Sequence, residues 1–164
     1  MAEFIFKKMV KDAHLNGMVE ICSRATSCEE ILAGRGNPVY PPAVRQLQIH
    51  GIPMEEKFAE RITTEECRQN DIIVVMDDNN LRNMEPFIGA DKALHAKMWK
   101  MLDFESIDSP KDASAARLTG DNIADPWYTG NFPLSYSQIE RGCKGLLNYV
   151  LYLSTLLCTT RSHS

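Results

Sequence analysis

Ile72-Ile73-Val74-Val75-Met76 is an unbroken apolar run that stops abruptly at Asp77-Asp78-Asn79-Asn80. A strand buried on both faces reads this way, because the helices that cover a parallel sheet leave neither face to solvent. Polar groups directly after such a strand lie at its carboxyl end, where open α/β sheets place their ligands. The four polar residues themselves read as the N-cap of a helix starting at Leu81–Met84. Asp77 and Asp78 have no third or fourth ligand within reach along the chain, so no metal site is expected there.

The rest of the chain fits a strand–helix plan around that run. Ala2–Leu15 reads as a helix, with Phe4, Ile5, Met9, Val10 and Ala13 near one face and Lys7, Lys8 and Lys11 outside it. No strand precedes this helix. Asn16-Gly17 makes a turn, and Met18–Cys22 reads as a short apolar strand. Ser23–Tyr40 is a loop of small residues that Gly34, Gly36 and Pro38 make irregular. Pro41 and Pro42 open a helix that Gly51 closes, with His50 at its C-terminal cap. Thr63-Thr64-Glu65-Glu66 is a capping box, and its helix runs to about Gln69. Ala96–Leu102 is another strand, Asp103–Ile123 a long polar loop, and a helix begins near Ser135. Ile139, Cys143, Leu146, Leu147 and Val150 keep helical spacing in it. The expected fold is α/β, a three-layer open parallel sheet with helices on both faces and three visible strands.

With 164 residues the chain forms one domain of ordinary size. A net charge of −4, with no basic block, excludes nucleic acid as an expected partner. Five cysteines, an odd number with no Cys-x-x-Cys, indicate reduced thiols and a cytoplasmic setting, with Cys22 and Cys143 as small core residues. The charged first twenty residues do not resemble a signal peptide, and the apolar stretch Leu146–Cys158 is too short for a comfortable span, so no membrane partner is expected.

Asp125-Pro126-Trp127-Tyr128-Thr129-Gly130 places a carboxylate, a rigid turn and two large aromatics in one short stretch. Pro126 pushes Asp125 into an extended shape, and Gly130 lets the backbone turn sharply. A general acid beside flat apolar walls suits protonation of an aromatic leaving group. On their own, the same residues also read as an ordinary surface turn.

Several pieces in order carry a more specific resemblance. They are Ser23-Arg24-Ala25-Thr26-Ser27, Gly36-Asn37-Pro38-Val39-Tyr40-Pro41-Pro42, His50-Gly51-Ile52, Ile62-Thr63, Met76-Asp77 with Asn80-Leu81-Arg82, and Asp125-Pro126-Trp127-Tyr128. From Met1 to about Val150 the chain resembles the low molecular weight protein tyrosine phosphatases. Residues 1–150 are therefore read as the phosphatase-like domain and 151–164 as an atypical tail. The resemblance implies hydrolysis of phosphotyrosine through a cysteinyl-phosphate, with no cofactor. In that family a C-x5-R loop holds the phosphate: its cysteine attacks phosphorus, and its arginine and backbone N–H groups bind the phosphate oxygens. The resemblance makes Asp125 the general acid, Trp127 and Tyr128 the substrate entrance, and Ser23 the residue whose hydroxyl supports the phosphate loop. The expected partner is a phosphotyrosine protein or an aryl phosphate.

The departures from the family pattern carry expectations too. The family's first strand and its C-x5-R loop would fall before Met1, so the chain reads as a shortened relative without nucleophile or phosphate-binding arginine. Activity of these residues is then not expected, and the alternative is a non-catalytic binding or regulatory relative. A family histidine near position 57 is replaced, since Lys57-Phe58-Ala59-Glu60-Arg61 stands in that region. Loss of a central strand exposes its neighbours, which makes marginal stability and self-association expected consequences. The tail has two readings. Leu151–Leu157 extends the final helix, or a strand after it enters the vacant place; helical spacing favours the first.

Overall fold

The computed structural model describes residues 1–32, 34–105 and 117–161, and at 32 and 157–161 the backbone alone. Helix α1 spans Ala2–Asp12 and buries Phe4, Ile5, Phe6 and Val10, so its first turns are enclosed on most sides. Left-handed residues at His14 and Gly17 turn the chain back. The next segment corrects an expectation, because Met18–Cys22 forms no strand. A strand is a property of a ladder, and among the described residues nothing pairs with these five. The chain is nonetheless placed as if extended: Val19 and Ile21 pack on the core, while Glu20 and Cys22 face solvent. That period of two explains a second correction, the exposure of Cys22, which the sequence placed in the core. Pairing begins only at Ala25, whose N–H reaches Glu60 O at 2.7 Å and whose carbonyl accepts from Ile62 N–H at 3.0 Å.

The loop expected to be irregular contains a minimal antiparallel ladder, β1 (Ile31–Leu32) against β2 (Arg35–Gly36). Helix α2 (Pro41–Ile49) opens on its two prolines and buries Ala43 and Leu47. His50 caps its C-terminus and lies flat on Tyr136, with ring centroids 3.7 Å apart. Helix α3 (Thr64–Gln69) carries the complete capping box of Thr63 and Glu66.

Strand β3 (Ile73–Val75) pairs in parallel with β4 (Met98–Lys100), Val74 opposite Trp99. Helices α4 (Asp78–Ile88) and α5 (Lys92–His95) form the crossover, started by Asp77 and Asp91 as side-chain caps. Both strands are shorter than the apolar runs around them, and local hydrogen bonds explain why. Met76 N–H turns to Asn80 Oδ1 and Met76 O accepts from Ile123 N–H, so neither group extends the ladder. Lys100 N–H bonds to Asp103 Oδ2, which bends the chain into the 3₁₀ turn Met101–Glu105. Among the described residues no strand pairs with the other edge of β3.

Alternate strand residues enter different cores, which makes the fold a layered α/β structure. Val74 and Trp99 join Phe4, Ile5 and Val10 of α1 and the final helix on one side. Val75 and Met98 join Cys67, Met84, Ile88 and Leu94 of α3, α4 and α5 on the other. A four-residue helix α6 (Pro126–Thr129) precedes the long helix α7 (Phe132–Arg161). Helix α7 covers 30 residues, about 45 Å, and continues unbroken to Arg161, so among the described residues no tail strand enters the sheet. It lies close against the 3₁₀ turn because Gly142 and Gly145 permit it. A Cβ on Gly145 would stand 2.0 Å from Phe104 O. Trp99, Phe104 and Tyr149 close the contact with mutual ring centroid distances of 5.0 to 5.7 Å. Among the described residues no helix is long and apolar enough to cross a membrane.

Residues 106–116 of the expected polar loop lie outside the described residues. The stretch from Leu118 to Gly120 is pinned by Asp103, which is 0% exposed and collects N–H groups from Leu118, Thr119 and Gly120 as well as Lys100.

The burial pattern gives a direct expectation for thiol chemistry. Cys67 and Cys143 are 0% exposed, and burial pushes the Cys143 thiol up to about 12. A thiol-directed alkylating reagent followed by peptide mapping should label Cys22 and Cys28 in the folded protein. Cys67 and Cys143 should react only after denaturant is added. Early labelling of Cys143 would contradict the packing of α7 on α1.

Candidate active site

The acid segment is assembled from three directions. Ile123 N–H bonds to Met76 O at 2.8 Å, which hangs the segment from the carboxyl end of β3. Ala124 is held by α7: its N–H donates to Gln138 Oε1 at 2.9 Å and its carbonyl accepts from Ser135 Oγ at 2.5 Å. Asp125 then sits at φ −70° and ψ 114°, the extended conformation that a following proline imposes. Its Oδ1 accepts from Trp127 N–H at 2.8 Å, making Asp125 the N-cap of α6. Its carbonyl accepts from Thr129 Oγ1 at 3.0 Å. Gly130 ends α6 in the left-handed conformation at φ 67°, where a glycine avoids the Cβ clash. Oδ2 of Asp125 has no hydrogen-bond partner among the described residues.

The two aromatic residues of the motif project outward, Trp127 64% and Tyr128 81% exposed. Tyr40 joins them from the residue before α2. Its ring centroid lies 5.2 Å from that of Trp127 and 5.8 Å from that of Phe132. Sequence reasoning did not single out Tyr40. An aromatic directly ahead of Pro41-Pro42 could have suggested it, since the helix start fixes its direction.

Ser23 lies in a different polar cluster. Its Oγ donates to Glu3 Oε2 at 2.7 Å, and Lys57 Nζ reaches the same oxygen at 2.5 Å. Lys7 Nζ holds Oε1 at 2.6 Å. Burial alone would raise the Glu3 carboxyl, but hydrogen bonds from Lys57, Lys7 and Ser23 outweigh it and bring it down to about 2. Lys57, the substituent where a family histidine was expected, is thus one of two cations facing Glu3, with Lys7. No hydrogen bond joins the Ser23 cluster directly to Asp125. Arg24 next door is fixed between Glu66 at 2.7 Å and Glu60 at 3.2 Å.

Asp78, read from sequence as part of a helix start, also binds the loop that leads to the acid. It accepts Lys100 Nζ at 2.6 Å and Asn122 Nδ2 at 3.0 Å. These two hydrogen bonds hold its carboxyl below the usual range. Among the described residues no cluster of His, Cys, Asp and Glu is arranged to hold a metal ion.

Residues 1–154 match the family described as low molecular weight phosphotyrosine protein phosphatase. A low molecular weight protein-tyrosine-phosphatase PtpA from Staphylococcus aureus is 26% identical over 151 residues, spanning 92% of this chain and 84% of the relative. Among solved structures, YfkJ from Bacillus subtilis superposes with a TM-score of 0.77 at 24% identity, over 92% of this chain and 85% of that one. SP-PTP, a low molecular weight protein tyrosine phosphatase from Streptococcus pyogenes, gives 0.68 at 26% identity, over 93% and 87%. The layered sheet, the aspartate hung from the end of β3 and the match over residues 1–154 lead to one assignment: the chain belongs to the low molecular weight phosphotyrosine protein phosphatase family.

Proposed function

We propose that this chain recognises phosphotyrosine in proteins, or aryl phosphate monoesters, with Asp125 standing where a phosphatase site holds the proton donor for a phenolic leaving group. The observation that carries this reading is the setting of Asp125. One carboxylate oxygen is committed to Trp127 N–H, the other has no hydrogen-bond partner among the described residues, and exposed aromatic rings stand two and three residues away. Trp127 and Tyr128 flank the substrate ring, and Tyr40 backs Trp127. An aryl ring between such walls is held by stacking, which orients its oxygen towards the acid. Ser23 acts at one remove, through Glu3 and the start of α1.

The attacking group is a separate matter. Cysteines stand at 22, 28, 67, 143 and 158, and six residues after them come Cys28, Gly34, Ile73, Tyr149 and Ser164, never arginine. Cys143 and Cys67 are sealed in the core. The 164 residues therefore supply the acid and the aromatic walls of a phosphatase site, and the reading for them by themselves is recognition without turnover.

Two measurements test this together. Hydrolysis of p-nitrophenyl phosphate should stay at background in the wild type and in Asp125→Asn alike. Phenyl phosphate should quench the red-shifted emission of exposed Trp127, and Trp127→Phe should abolish that response while buried Trp99 continues to emit. Turnover that falls about a hundredfold or more in Asp125→Asn would reinstate a complete catalytic site in these residues. Quenching that persists in Trp127→Phe would remove the aromatic entrance from the proposal.

A further inference from the structure

The carboxylate of Asp125 is only as well aimed as the peptide that carries it. Ala124, the residue just before, belongs to neither apolar core, so packing there does not fix it. Both its backbone groups are instead held by side chains of α7, from Ser135 and Gln138, 11 and 14 residues further along the chain. Residues three apart on a helix share a face, so one stripe of α7 grips both the N–H and the carbonyl of a single residue.

Ser135 Oγ has two carbonyl oxygens within hydrogen-bond reach. A helical serine usually returns its proton to the carbonyl four residues back, and Asn131 O lies 3.2 Å away. Ala124 O is closer, at 2.5 Å, and the hydroxyl has one proton to give. The Ser135 side chain is also fully buried, at 0% exposure, so no water competes for that bond. The Gln138 amide has a defined orientation, because Ala124 N–H can only donate and must meet the oxygen. Downstream, Asp125 Oδ1 is tied to Trp127 N–H and Asp125 O to Thr129 Oγ1. The backbone is thus fixed on both sides of the acid, and the uncommitted Oδ2 is aimed by that frame.

We propose that Ser135 and Gln138 are positioning residues for Asp125, setting the direction of its carboxylate through the peptide groups of Ala124. The purpose of this frame rests on the reading of Asp125 as proton donor, but its test does not, since no substrate is involved. The hydrogen bond from Trp127 N–H to Asp125 Oδ1 reports the placement directly, and amide hydrogen exchange observed by NMR reads it residue by residue.

Gln138→Ala removes the acceptor at a partly exposed position and should leave the urea midpoint nearly unchanged. Exchange at the Ala124 and Trp127 amides should accelerate by about tenfold, while core amides of α7 such as Cys143 keep their wild-type rates. Gln138→Glu restores an acceptor oxygen and should return both amides close to wild-type protection. Ser135→Ala should accelerate the Trp127 amide similarly. If Ser135→Ala proves too unstable to compare, the Gln138 pair decides. Unchanged exchange at Trp127 in Gln138→Ala would overturn the proposal. A uniform acceleration of all amides would overturn it as well, since that marks general loosening rather than aiming. Quenching of Trp127 by phenyl phosphate tests the functional reading separately, and either result can fail while the other holds.

Discussion

Replacing Asp103 by alanine is expected to lower the free energy of unfolding by about 4 kcal/mol. The side chain is 0% exposed, and its two oxygens collect four backbone N–H groups: Lys100 at 2.6 Å, Leu118 at 2.7 Å, Thr119 at 3.1 Å and Gly120 at 2.7 Å. Alanine would strand the buried Lys100 N–H, at roughly 1–3 kcal/mol before relaxation, and would release the part-buried loop donors from Leu118 to Gly120. Relaxation lowers the sum but does not cancel it, because Gly120 lies directly on the Asp103 backbone. A Cβ there would stand 2.6 Å from Asp103 N. Asparagine should recover only part of the loss, since one of its two polar ends donates where a donor already points. Urea denaturation of the three proteins measures this, and a loss below about 1 kcal/mol for alanine would show that the residue is dispensable. Limited proteolysis should also cut the alanine variant between Arg117 and Asn122 before the wild type.

Glu3→Gln is expected to be the second large effect, and it carries a pH signature. The folded carboxyl lies at about 2 against an ordinary value of 4.5. A depressed carboxylate contributes stability that is complete above its unfolded pKa and is lost as pH falls through the folded one. Wild-type stability should therefore decline between about pH 5 and pH 2, by roughly 2–3 kcal/mol from this group alone. Glu3→Gln should be weaker at pH 7 by a similar amount, with Lys57 and Lys7 left without their anion. Its acid limb should be flatter, so the two proteins converge near pH 2. Parallel curves for the two proteins across that range would remove Glu3 from the linkage.

The parts of this structure that were legible in the sequence are those with local causes. The capping box at Thr63 and Glu66, the two prolines opening α2, and the extended Asp125 ahead of Pro126 each depend on residues within a turn of one another. Their geometry comes from short-range sterics and hydrogen bonding. The strand at Ile73–Val75 was legible because burial on both faces leaves a continuous apolar run. Met18–Cys22 misled for the complementary reason: apolar content announces burial, but a ladder also needs a neighbour. Cys22 was misplaced with it, since pleat parity decides which side of an extended segment faces water. Asp103 and Glu3 were not legible at all. One lies in a stretch that looked like a polar loop and the other on an apolar helix. Their donors come from residues up to 17 and 54 positions away, respectively. Ser135 and Gln138 escaped for the same reason, being ordinary helix residues until the fold brings Ala124 to them.

The embrace of α1 by α7 has a consequence for the birth of the molecule. Phe4, Ile5 and Val10 are made long before Ile139, Cys143 and Leu146, which cover them. At ordinary elongation rates of about 5–20 residues per second, that apolar face waits roughly 7–27 seconds on the ribosome for its cover. Slowing translation should lengthen the interval and favour misassembly of the nascent chain.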